Sequence, residues 1–295
     1  MKKRRGMILA RTLVALVTLV LVLVPGSSAW NRAAAQETEE QTTPDPPKLR
    51  ATAWALVDAE TGLYLAGKNT DKRMPIASTT KIMAALVALD EGANLNEEVA
   101  ISPQAERFVG FTYSNIGLIE GERLSVKELL EAALIPSGTE AVYALAEHLG
   151  DGSVAAFVGD MNQKADSMGL KDTHFETPAG IDARGDYSSA GNLATMAREA
   201  MEYPLFADIV DAEEATITTQ NREIDVLTTN NLLYIYEPAN GVKTGTSPAA
   251  GPCLVASAKS GDESYIVVVL DAAGEEYRFD AARAALEYGF SDYDR

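Results

Sequence analysis

The chain has 295 residues, 46% of them hydrophobic and 23% charged, so a sizeable core is available and wholesale disorder is excluded. Asp and Glu outnumber Lys and Arg by 43 to 25, and the resulting net charge of -18 repels phosphate and argues against nucleic-acid binding. One cysteine excludes an intrachain disulfide and a thiolate zinc cluster, while two histidines, His148 and His174, leave little for a metal site or a Ser-His-Asp triad.

The chain opens Met1-Lys2-Lys3-Arg4-Arg5, and an apolar run from Thr12 to Val24 ends at Pro25-Gly26. The run is short for a membrane span of about 20 residues and has the length of a signal-peptide core. Ala33-Ala34-Ala35 before Gln36 offers a cleavage site, with Ser27-Ser28-Ala29 as a second; counting Met7 to Arg11 lengthens the stretch towards an uncleaved anchor. Residues 1–35 therefore read as a signal peptide or an N-terminal anchor. Either reading exports the protein, to be secreted or tethered to the outer face of the cytoplasmic membrane. Residues 36–50 are acidic and Pro-rich without apolar periodicity, a disordered linker. No second linker or repeat follows, so residues 51–295 are expected to fold as one domain.

Within that domain, Ala51–Val57 and Leu63–Ala66 flank the turn residues Asp58-Ala59-Glu60-Thr61-Gly62, which predicts a β-hairpin. Ser78 to Leu89 is a helix apolar almost all round, hence buried. Ser125-Val126-Lys127-Glu128 is a capping box opening a helix with Leu129, Leu130 and Leu134 as core candidates. Pro136-Ser137-Gly138 breaks it. Helices are predicted over Glu140–Leu149, Ala155–Met168 and Ala190–Met201. Strands return at Cys253–Ala258 and Tyr265–Leu270, and an amphipathic helix covers Phe279–Tyr288. Strands at both ends with helices between predict an α/β domain of α+β arrangement, its antiparallel sheet built from both chain ends with an inserted helical lobe.

Three short motifs lie in this frame. In Ser78-Thr79-Thr80-Lys81, the i, i+3 spacing puts hydroxyl and amine on one face of the first helical turn. The apolar helix behind would desolvate Lys81, lower its pKa and make a nucleophile–base pair that needs no histidine. Ser137-Gly138-Thr139 lies in an interhelical break, and Lys243-Thr244-Gly245-Thr246 precedes a strand, where it could bind a carboxylate. Each motif alone is weak. In this order they form the signature of penicillin-binding proteins and class A β-lactamases.

The surrounding text resembles the low-molecular-mass D-alanyl-D-alanine carboxypeptidases, the S11 serine peptidases, from about Ala51 to Phe290. The matching stretches are Ala77–Met83, Leu134–Gly138, Gly169–Phe175, Gly241–Thr246 and Ala250–Ala258. The resemblance implies a β-lactamase/transpeptidase-like fold, no cofactor or metal, peptidoglycan pentapeptides as substrate and β-lactam antibiotics as covalent inhibitors. It also implies residue roles: Ser78 as acyl-ester nucleophile, Lys81 as general base, Ser137 as proton relay, and Lys243 and Thr244 as contacts to the substrate carboxylate. The N–H groups of Ser78 and Thr246 would form the oxyanion hole, and Arg278 would help hold the terminal carboxylate.

The sequence departs from this pattern in places. The family's middle motif usually reads Ser-Gly-Asn-Asp-Ala, but here it is Ser137-Gly138-Thr139-Glu140-Ala141. Thr139 either stands where Asn would hold the substrate amide or serves only as the N-cap of the next helix. Asn231 stands where many relatives have Arg, and the text ends soon after Phe290, without their second β-rich domain. A β-lactamase is a weaker reading, because no Glu-x-x-Leu-Asn is present. A wall-binding homologue with impaired turnover rests on Thr139 alone. Cys253 reads as a buried hydrophobe, and Asp182, Arg184 and Asp186 read as a solvated loop near the site.

Overall fold

The computed structural model describes residues 45–110 and 112–291. The signal-peptide or anchor segment and most of the linker lie outside the described residues; residues 45–50 have no regular secondary structure.

In chain order the elements are strands β1 (Ala51–Asp58) and β2 (Tyr64–Lys68), a 3₁₀ turn (Ala77–Thr80) and helix α1 (Lys81–Asp90). Next come β3 (Glu98–Ala100), α2 (Pro103–Glu106), β4 (Arg123–Ser125), α3 (Val126–Leu134), α4 (Thr139–Leu149) and α5 (Val154–Ser167). Then follow α6 (Ala190–Met201), α7 (Pro204–Asp211), β5 (Glu214–Thr218), β6 (Glu223–Leu227) and α8 (Leu232–Ile235). The last are β7 (Ala239–Ser247), β8 (Gly251–Ser260), β9 (Glu263–Ala272) and α9 (Tyr277–Phe290).

The main sheet has the order β2-β1-β9-β8-β7 and is antiparallel throughout. The N-terminal β1 therefore lies beside the C-terminal β9, with Leu56 opposite Val267. Side chains alternate between two cores, as the period of two in a strand requires. Ala53, Ala55, Val57, Val255, Ile266 and Val268 face the helical lobe. Trp54, Leu56, Leu254, Ala256, Val267 and Val269 face α9, through its Phe279, Ala282 and Leu286. Both faces are covered, which is why β8 and β9 read as continuous apolar runs. Each such Leu, Val or Phe contributes about 1.5–3 kcal/mol by leaving water.

On the lobe side α1 is buried on every face from Lys81 to Ala88, which explains its lack of a polar stripe. The capping box at Ser125 forms in both directions, with Glu128 N donating to Ser125 Oγ and Ser125 N donating to the Glu128 carboxylate. The small β3–β4 and β5–β6 pairs and helices α2, α7 and α8 were not predicted. Strands such as Glu98–Ala100 and Arg123–Ser125 carry one buried residue each, too few for a periodic signal.

Candidate active site

The nucleophile candidate is held in a pinched turn. Ser78 lies in the 3₁₀ segment, whose three residues per turn bring positions i and i+3 into line; the expectation of an ordinary first helical turn is corrected in that detail. Ala77 has φ +47, a left-handed conformation that a non-glycine residue adopts only when its surroundings impose it. Two glycines leave room for this turn. A Cβ on Gly180, whose own φ is +70, would lie 1.9 Å from Ala77 O. A Cβ on Gly245 of β7 would lie 2.8 Å from Ile76 O and 3.1 Å from Ser78 N. The K-T-G strand thus approaches the serine turn backbone to backbone, at the free edge of the sheet.

From α1, the Lys81 amine reaches back into this turn. Its Nζ stands 3.0 Å from Ser78 Oγ, 3.3 Å from Ser137 Oγ and 3.1 Å from Ser137 O. Ser137 has φ +67 in the break between α3 and α4, which turns it towards Lys81. Burial lowers the Lys81 pKa to about 7, with the charge of Glu140 opposing the fall. Lys243 on β7 is equally buried, and its Nζ donates to Thr244 O at 3.2 Å. Burial, then Lys81, then Arg278 hold it well below the ordinary lysine range. The site therefore contains a serine beside an amine whose pKa burial brings to about 7, and a second amine whose charging burial disfavours.

Ser78, Thr139 and Thr246 line one cleft of about 390 Å³, walled by Thr112–Ser114 and by Gly180–Asp182. Thr139 is the first residue of α4, but the N-cap is Gly138 and no side chain caps the helix. The cap reading of Thr139 is therefore overturned: Thr139 N donates to Ser114 O at 2.8 Å, and the residue lines the cleft. Thr244 is buried with its hydroxyl 2.6 Å from that of Thr229. Arg278 does not line the cleft. It sits behind β7, where Nη1 donates to Thr246 Oγ1 (2.8 Å) and Gly245 O (3.2 Å) and Nη2 pairs with Glu275 (3.0 Å).

The solvated reading of the charged loop is corrected at one residue, Asp186. Asp182 accepts from Ala249 N and Ser247 Oγ, bracing the cleft wall. Asp186 is buried, and desolvation pushes its pKa up to about 7. Asp182 and Arg184 are both exposed, as a solvated loop requires, and only Asp186 departs from that reading. Cys253 is fully buried, and burial raises its thiol to about 12. The sequence reading missed the Thr112–Ser114 wall, Gly180 and the burial of Glu140. A loop without periodicity carries no local sign that it folds over a site.

The family model for D-alanyl-D-alanine carboxypeptidases, peptidase family S11, matches residues 40–274. The chain belongs to this family. It is 34% identical over 289 residues to the D-alanyl-D-alanine carboxypeptidase DacF of Bacillus subtilis, an alignment covering 96% of this chain and 72% of the relative. A Streptomyces D-alanyl-D-alanine carboxypeptidase is 35% identical over 259 residues, 83% of this chain and 89% of that one. The crystal structure of a Streptomyces DD-transpeptidase superposes with a TM-score of 0.80 at 34% identity, over 84% of this chain and all of that one. The sheet from both chain ends with its helical lobe is thus the penicillin-binding fold, and the enzyme class is that of the serine-type D-Ala-D-Ala carboxypeptidases.

Proposed function

We propose that this carboxypeptidase is exported and removes the terminal D-Ala of peptidoglycan pentapeptides through a Ser78 acyl-enzyme, which β-lactams form as well. The observation that carries this reading is the buried Lys81 amine within hydrogen-bond distance of both Ser78 Oγ and Ser137 Oγ.

The neutral Lys81 amine takes the Ser78 hydroxyl proton as Oγ attacks the carbonyl carbon of the penultimate D-Ala. Negative charge builds on the carbonyl oxygen, which the N–H groups of Ser78 and Thr246 receive; the close approach of Gly245 to Ser78 N supports that pairing. Collapse breaks the C–N bond. The proton on Lys81 passes through Ser137 to the departing nitrogen, and D-Ala leaves as a neutral amine. Water then attacks the ester, giving its proton back along the same path, and Ser78 regains its hydroxyl. The substrate carboxylate meets Lys243 and Thr244 at β7. Its charge favours protonation of Lys243, so binding and proton uptake are coupled. Arg278 contributes by fixing Thr246 and adding positive charge behind the strand.

The basic start and apolar run of residues 1–35 support export, with cleavage and an N-terminal membrane tether as its two forms. The test is D-Ala release from a peptide ending in D-Ala-D-Ala, together with the lifetime of a fluorescent penicillin label. Release with a long-lived label supports this function. Rapid loss of label indicates a β-lactamase, and neither release nor label a binding homologue.

A further inference from the structure

The acyl-transfer steps leave one acid of the site unused. Glu140 occupies the first turn of α4 and is fully buried. Its Oε1 accepts the N–H groups of Ile116 (2.6 Å) and Gly117 (3.1 Å), with Leu118 N at 3.5 Å. Its Oε2 is buried without a hydrogen-bond partner among the described residues. With Thr139 N bonded to Ser114 O, the first two residues of α4 clamp a segment continuous with the Thr112–Ser114 wall of the cleft.

Another buried acid, Glu122, is answered directly by Arg222 at 2.7 Å. Glu140 has no cation in contact among the described residues, and burial pushes its carboxyl pKa up, an arrangement that costs stability unless a nearby charge offsets it. The nearby charges are the two buried lysines. Lys81 is anchored on Ser137, three residues before Glu140, and neither Lys81 nor Lys243 has an ion-pair partner among the described residues. Glu275, behind β7, is engaged by Arg278, and Asp182 on the cleft wall accepts from Ser247 Oγ and Ala249 N.

We propose that Glu140 is a positioning residue, the counter-charge of the two-lysine site, which acts on Lys81 through space with one oxygen while the other clamps the Ile116–Leu118 backbone. The inference rests on Lys81 being the general base. The charged groups facing Lys81 are Glu140 from the α4 side and Lys243 from β7, with Arg278 of α9 behind Lys243; Glu140 faces Lys81 and the 116–118 amides. Burial disfavours a charged Lys81, and an amine pushed too low is too weak to pull the serine proton. Glu140 works against that fall.

The experiment is the pH dependence of acylation by a chromogenic β-lactam from pH 5 to 9, with melting temperatures, for wild type, Glu140→Gln and Glu140→Asp. Gln keeps the Oε1 acceptor and loses the charge. Its acylation profile should shift to lower pH by about one unit with a lower plateau, because Lys81 then loses its proton earlier and becomes the weaker base. Asp keeps the charge and loses reach, so its midpoint should stay near wild type while the apparent KM rises. A folded Glu140→Gln enzyme with the wild-type midpoint overturns the inference. Should Gln fail to fold, a displaced midpoint in Glu140→Asp overturns it instead. A wild-type profile with no rise between pH 6 and 8 would sink the Lys81 base reading itself, which separates the two failures.

Discussion

Replacing Thr139 by Asn tests the site where this chain departs most from its family. The structure removes the competing helix-cap role, since Gly138 holds that position. It leaves a hydroxyl lining the Ser78 cleft with no hydrogen bond to the described residues. If the substrate's amide carbonyl lies there, an Asn side chain adds a donor that Thr cannot direct to the same place. A hydrogen bond left unmade costs about 1–3 kcal/mol, which corresponds to about 5- to 150-fold in rate at 1.4 kcal/mol per decade. The two residues have similar helix propensity, so the first turn of α4 should tolerate the change. The assay is the second-order acylation rate with penicillin, and D-Ala release, beside the melting temperature. The expected result is faster acylation with unchanged melting. An unchanged rate in a folded variant would show that Thr139 does not face the reacting amide, and would remove the main ground for an impaired enzyme.

Lys81→Ala should slow acylation by about 10²- to 10⁴-fold, whereas Lys243→Ala should act mainly through KM; a Lys81→Ala enzyme acylating near the wild-type rate would refute the base assignment. Arg278→Ala should weaken turnover of peptides with a free C-terminal carboxylate, and amidating that carboxylate should then cost the wild type more than the variant; equal losses would deny Arg278 any part in reading the charge. Asp186 has a folded-state pKa raised to about 7 by burial. Between about pH 4 and 7 the folded state therefore holds a proton that the unfolded chain has released, so stability falls as pH rises through that window. Asp186→Asn should accordingly melt higher than wild type at pH 8, by up to a few kcal/mol, and the two should converge near pH 4; curves that never diverge would refute the buried-carboxyl reading.

Much of the architecture was legible because it rests on local pattern. The continuous apolar runs of β8 and β9, the all-round apolar α1 and the capping box at Ser125 each follow from burial or backbone hydrogen bonding within a few residues. The Ser78–Lys81 spacing was legible for the same reason, whereas Lys243, expected just before a strand, lies on β7 itself. What escaped depends on distant chain segments. Glu140 and Asp186 look like solvated acids until the 112–118 loop and the Gly180 turn bury them. Arg278 was rightly placed after the last strand, but only β7 and Glu275 decide that its guanidinium lies behind Thr246. The turn at Ala77 likewise depends on the room left by Gly180 and Gly245, which lie about 100 and 170 residues away along the chain.

The central claim is a covalent bond at Ser78, and intact-protein mass spectrometry after incubation with benzylpenicillin, followed by peptide mapping, tests it most directly. The account predicts a mass increase of one penicilloyl group, mapped to the peptide containing Ser78 and absent from a folded Ser78→Ala variant. An adduct that persists in Ser78→Ala, or maps to another residue, would contradict it.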